Sequence, residues 1–170
     1  MVDIKEIEAE VLPQGKTGEC FSSLYRKIFA RSGGDQFNPE PIAGKAESTE
    51  RGTVSILVVD DDLIFGRSFV SVLKEKGYNA ELANTGKSAI AEVENRYFDV
   101  VFLDVKLPDM NGVEVLKRIK TIRPETKVIM ITAFSYNEFA DELLQLGAFA
   151  YFCKPFDISL AFRAIEEIDG

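Results

Sequence analysis

From residue 54 onward, apolar and polar positions follow two alternating rhythms. Val54–Val59 is a short apolar run, the signature of a buried strand. Leu63–Lys76 then repeats apolar residues at helical spacing, with Phe65, Phe69, Val70 and Leu73 as the core contacts, and Gly77 ends it. Asn79–Ala83 predicts a second strand and Gly86–Arg96 a second helix. Asp99–Asp104 contains VVFL, a continuous apolar run typical of a strand covered on both faces. Val113–Ile122 predicts a third helix, stopped before Pro124, and Lys127–Thr132 a fourth strand. Ser135 and Glu138 form a capping box, and Phe134 and Phe139 stand where a hydrophobic staple closes, so a fourth helix starts there. Ala148–Phe152 is a fifth strand and Asp157–Ile168 a last helix. Five successive strand–helix units predict an α/β fold, a doubly wound five-stranded parallel sheet with right-handed crossovers.

The chain before residue 54 has another character. Residues 1–53 hold six of the 12 glycines and three of the six prolines. One amphipathic pattern stands out: Cys20, Phe21, Leu24, Tyr25, Ile28 and Phe29 share one face of a helix over about 19–31, a packing or dimer face. Residues 32–53 read as a flexible linker. The chain thus divides into an N-terminal extension, 1–53, and a domain, 54–170, long enough for one core. Gly15-Lys16-Thr17 matches the end of a phosphate-binding loop, but Glu10 stands where that motif needs glycine.

Composition narrows the chemistry. The 170 residues include no histidine, which excludes Ser-His-Asp and Cys-His catalysis and any imidazole metal site. Cys20 and Cys153 lie far apart without metal-site spacing, so neither zinc nor a disulfide framework is signalled. A net charge of −8 disfavours direct nucleic-acid binding, which needs clustered Lys and Arg. MVDIKEIEAE carries acids where a secretion signal needs a basic and then apolar run, and no segment reaches 18 uncharged apolar residues. A cytoplasmic protein without a membrane span is expected.

The informative polar residues stand at the ends of the predicted strands, where open parallel sheets bind ligands. The first strand ends in Asp60-Asp61-Asp62, the third in Asp104 and the fourth in Thr132, and the fifth is followed by Lys154-Pro155. Close carboxylates repel, by about 4 kcal/mol per pair at 4 Å and an effective dielectric near 20. A hard divalent cation such as Mg²⁺ relieves that repulsion. With Lys and Thr beside it, such a cluster can receive the equatorial oxygens of a phosphoryl group, and a free carboxylate can be the nucleophile.

ILVVDDD (56–62), VVFLDVKLPDMNG (100–112), VIMITA (128–133) and AYFCKPF (150–156) together resemble the receiver domain of two-component response regulators, the chemotaxis-receiver-like family. The resemblance covers about 117 of the 170 residues. It implies the flavodoxin-like strand order 2-1-3-4-5. It implies Asp104 as phospho-acceptor, Asp61 as a direct Mg²⁺ ligand, Asp60 as its water-mediated neighbour, and the backbone carbonyl of Lys106 as a further ligand. Lys154 is expected to pair with the acceptor carboxylate and then the phosphoryl oxygens. Thr132 and Tyr151 are the expected switch pair, and the Lys154–Pro155 bond is expected to be cis. The implied partners are a sensor histidine kinase or histidine phosphotransfer protein, and a downstream protein reading the face of helix 4, strand 5 and helix 5. Phe139, Phe149, Phe152 and Phe162 are available for packing there. Such a chain is a signalling switch rather than an enzyme. Lys106 and Phe134, flanking the approach of hydrolytic water, are expected to slow loss of the phosphoryl group.

Simpler roles suit some of these residues. Asp62 reads as a helix N-cap, and Asp109 and Asn111 as shapers of the loop after Asp104. Two other functions share the pattern. A pseudo-receiver scaffold would bind partners without phosphorylation. A flavodoxin-like cofactor binder would need a phosphate-cradling loop where Asp60-Asp61-Asp62 stands, and these acids repel a flavin phosphate.

Overall fold

The computed structural model describes residues 53–133 and 142–170. The helix expected over 19–31, nearly all of the linker over 32–53, Gly15–Thr17, the capping box of Ser135 and Glu138, and Phe134 and Phe139 lie outside the described residues.

In chain order the elements are β1 (Ser55–Val59), α1 (Leu63–Glu75), β2 (Asn79–Ala83), α2 (Gly86–Asn95), β3 (Val100–Asp104), α3 (Gly112–Ile122), β4 (Lys127–Thr132), a helical segment α4 (residues 142–145), β5 (Ala150–Cys153) and α5 (Ile158–Asp169). The strands form one sheet in the order β2-β1-β3-β4-β5, every neighbouring pair parallel. The doubly wound sheet and its order therefore match the expectation.

The three inner strands carry the apolar runs because both their faces are covered. Ile56–Val59 and Val100–Leu103 have no exposed surface, nor do Val128–Ile131. Phe102 of β3 meets Phe69 of α1 edge-on, ring centres 4.9 Å apart. On α1, Phe69, Val70 and Leu73 are buried as expected, but Phe65 is only half-buried. Tyr78, between α1 and β2, stacks on Phe162 of α5. Phe162, one of the aromatics available for packing, is thus used against the end of α1.

Local chemistry sets the ends of the elements. After α1, Gly77 adopts φ +93°, its N–H reaches Lys74 and that of Tyr78 reaches Leu73. This is the paired closure that a left-handed residue permits. The same closure follows α4, where the Ala148 N–H bonds Leu143. Ala148 therefore finishes the helical turn, and β5 starts at Ala150 rather than at the expected Ala148. Asp62, Asn111 and Asp157 cap α1, α3 and α5 with their side chains. No described helix is long and apolar enough to cross a membrane.

Candidate functional site

Strand register brings the polar residues together. Val59 pairs with Leu103, so Asp60 and Asp104 leave adjacent strands at the same level, about 4.8 Å apart from backbone to backbone. Asp104 pairs with Ile131, and Thr132 with Cys153. Lys154 thus follows β5 one residue beyond Thr132, and its N–H bonds the Thr132 carbonyl at 2.7 Å.

The Lys154 ammonium joins the cluster. Its Nζ donates to Asp60 Oδ2 and to Asp104 Oδ2, both at 2.6 Å. Asp60 is fully buried, Asp104 is 7 % exposed and Thr132 is 2 % exposed. The other oxygen of each carboxylate accepts a backbone N–H: Asp60 Oδ1 from Asp62 at 3.0 Å, and Asp104 Oδ1 from Lys106 at 2.8 Å. Burial raises the Asp60 pKa above the usual Asp value, although Lys154 opposes it. Burial lowers the Lys154 pKa, but the hydrogen bonds and charges of Asp104 and Asp60 outweigh that and raise it above the usual Lys value.

Asp61 is exposed at the rim, and one carboxylate oxygen from each of Asp60, Asp61 and Asp104 lies within 4.8 Å of the others. Three carboxylates and one ammonium leave two negative charges in excess. That donor set, all hard oxygen and doubly negative, fits a small divalent cation such as Mg²⁺.

The loop after β3 is fixed at both ends. Lys106 and Asn111 form an isolated antiparallel bridge, and the Gly112 N–H donates to Val105 at 2.8 Å. A Cβ at Gly112 would stand 2.1 Å from the backbone oxygen of Asp104, so only glycine lets α3 start this close to that residue. Lys106 is exposed beside Asp104. Tyr151 is buried on β5, 5 % exposed, and the Lys154–Pro155 bond is cis.

Two side chains do more than the sequence suggested. Asp109 goes beyond shaping its own loop: its carboxylate accepts from the Gly86 N–H at 2.8 Å and the Lys87 N–H at 2.9 Å. It ties the loop after Asp104 to the positive N-terminus of α2. Hydrogen bonds from Lys87 and Gly86 hold its pKa below the usual Asp value. The Phe65 ring, assigned to the core by its spacing, lies 4.5 Å from Lys154 Nζ. Its position four residues after Asp61, on the first turn of the helix leaving the acidic strand end, was the available signal.

The family model for the response regulator receiver domain matches residues 56–166. The chain belongs to this receiver family. Transcriptional regulatory protein ZraR of Salmonella typhimurium is 39% identical over 117 residues, covering 69% of this chain and 26% of that protein. The chain thus spans about a quarter of the length of that protein. Sporulation initiation phosphotransferase F of Bacillus subtilis is 39% identical over 112 residues, covering 66% of this chain and 90% of that protein. Among solved structures, a CheY-like receiver domain protein from Methanospirillum hungatei shares 36% identity with a TM-score of 0.65, over 69% of this chain and 95% of that one. The receiver motifs of this chain, ILVVDDD, VVFLDVKLPDMNG, VIMITA and AYFCKPF, all fall within the matched residues.

Proposed function

We propose that this receiver accepts a phosphoryl group on Asp104 and responds by changing a protein-interaction surface. The observation that carries the reading is the bridge of Lys154 between Asp60 and Asp104, with Asp61 at the rim of the same mouth.

Asp60, Asp61, Asp104 and the Lys106 carbonyl are the groups that would hold Mg²⁺. When bound, Mg²⁺ supplies charge neutralisation for the phosphoryl oxygens and the acceptor carboxylate. The residues of the chain do the rest. An Asp104 oxygen attacks phosphorus and the new P–O bond forms. The bond from phosphorus to the donor imidazole nitrogen breaks, and its electron pair stays on that nitrogen. Lys154 then pairs with a phosphoryl oxygen in place of its bond to the carboxylate, and the Thr132 hydroxyl donates to another. These 170 residues hold no histidine, and the donor in this reading is a phosphohistidine outside them, on a sensor kinase or phosphotransfer protein. Thr132 and the buried Tyr151 carry the change to the surface of α4, β5 and α5, where a downstream protein reads it.

Incubation with acetyl phosphate and Mg²⁺ tests the reading. The intact mass rises by one phosphoryl group, and Asp104→Ala abolishes the gain. An unchanged mass in the wild-type chain would favour a scaffold that works without phosphorylation.

A further inference from the structure

Phe65 belongs by spacing to the apolar stripe of α1, yet it is half-buried where Phe69 is 2 % exposed. One partner of its ring is a charge. The Lys154 ammonium stands 4.5 Å from the ring centre while donating 2.6 Å bonds to Asp60 and Asp104. Two of its three N–H groups are therefore committed to carboxylates, and an aromatic face is the weakly polar neighbour that suits the remainder. The Lys154 side chain is 23% exposed, so the attraction acts in a partly dry setting.

The ring is itself held from two sides. Its centre lies 5.7 Å from that of Phe69 on α1. It lies 6.0 Å, nearly edge-on, from that of Phe156, two residues beyond Lys154. Phe156 in turn touches Phe69 and Phe152. The aromatic cluster thus locks the ring to both the helix after Asp61 and the segment that delivers Lys154.

We propose that Phe65 is a positioning residue for phosphoryl transfer, its ring face holding the Lys154 ammonium at the mouth between Asp60 and Asp104. The proposal rests on the reading of Asp104 as phospho-acceptor. As the P–O bond to Asp104 forms and the leaving group departs with its electron pair, charge on the phosphoryl oxygens must be met by an ammonium already in place. A long lysine side chain has many rotamers, and the ring restricts them.

The test replaces Phe65 in the full chain with leucine, with tyrosine, and with phenylalanines carrying one, two or three ring fluorines, which drain the face of negative potential at nearly constant shape. The first readout is the NMR resonance of the Lys154 ε-methylene in the unphosphorylated protein. It lies upfield in the wild type through the ring current and loses that shift in Phe65→Leu. The second is the initial rate of phosphorylation by acetyl phosphate with Mg²⁺. Phe65→Leu slows it by about threefold to tenfold, Phe65→Tyr stays within about twofold, and each added fluorine slows it further. A rate that is flat across the fluorinated series overturns the proposal, because a space-filling ring behaves that way. A Lys154 resonance that does not move in Phe65→Leu also overturns it. A wild-type chain that takes no phosphoryl group overturns the phospho-acceptor reading and this proposal with it, whereas a flat series on an active wild type overturns this proposal alone.

Discussion

Lys154 and Asp104 lie 50 residues apart in sequence, and their Nζ and Oδ2 atoms lie 2.6 Å apart in the fold. The same ammonium holds Asp60 at the same distance. This one cation therefore offsets repulsion among three carboxylates, and its removal exposes that repulsion.

Lys154→Met is expected to lower the thermal midpoint in Mg²⁺-free buffer. Losing one partner of a buried pair costs about 3–5 kcal/mol; the partial exposure of Lys154 reduces that to about 2 kcal/mol. Added Mg²⁺ shrinks the deficit, because the cation takes over the neutralising role. The Lys154 pKa is raised in the fold, so the stability it contributes is present throughout neutral pH. It is lost as pH rises past the raised value. Calorimetry with and without Mg²⁺ checks both statements.

Asp60→Asn is expected to act in the opposite sense. Burial raises the Asp60 pKa despite Lys154. A carboxyl raised in the fold opposes folding above its unfolded value and stops doing so as pH falls below it, since the folded state takes the proton first. The variant therefore melts higher than wild type at pH 7 without Mg²⁺. Mg²⁺ affinity, followed by titration calorimetry, falls by about 10- to 100-fold.

Much of this was legible in the chain because the signals are periodic or terminal. Apolar runs such as VVFL fixed the buried strands, and the acids, Thr132 and Lys154 stood out where those runs end. The boundary of β5 was less legible, because the closure that carries Ala148 back to Leu143 depends on the left-handed Gly147. The roles of Phe65 and Asp109 were hidden for a different reason. Each depends on a partner distant in sequence, Lys154 for Phe65 and the start of α2 for Asp109, and spacing along one helix or loop cannot identify such a partner.

Asp109→Ala removes two hydrogen bonds at the N-terminus of α2. Its midpoint of urea unfolding should fall modestly at pH 7 with an unchanged slope. Because the Asp109 pKa is lowered, its contribution is present above the unfolded Asp value and fades as pH falls through the folded one. The two proteins should converge in strong acid. A gap that persists there would assign the loss to packing instead.

Lys106 and Phe134 lie two residues after Asp104 and Thr132. Lys106→Asn combined with Phe134→Glu is expected to speed release of inorganic phosphate from the phosphorylated protein, by opening the approach of water to the acyl phosphate. A phosphate-release assay after removal of the donor reads the rate, and an unchanged or slower release would contradict this role.

Borohydride trapping tests the central claim most directly, because it reports which residue carries the phosphoryl group. The chain is phosphorylated with acetyl phosphate and Mg²⁺, reduced, digested and sequenced by mass spectrometry. An acyl phosphate on Asp104 is reduced to homoserine at position 104, with Asp60, Asp61 and Asp62 unchanged. Homoserine at another position, or none in a protein whose mass has risen by one phosphoryl group, would contradict the account.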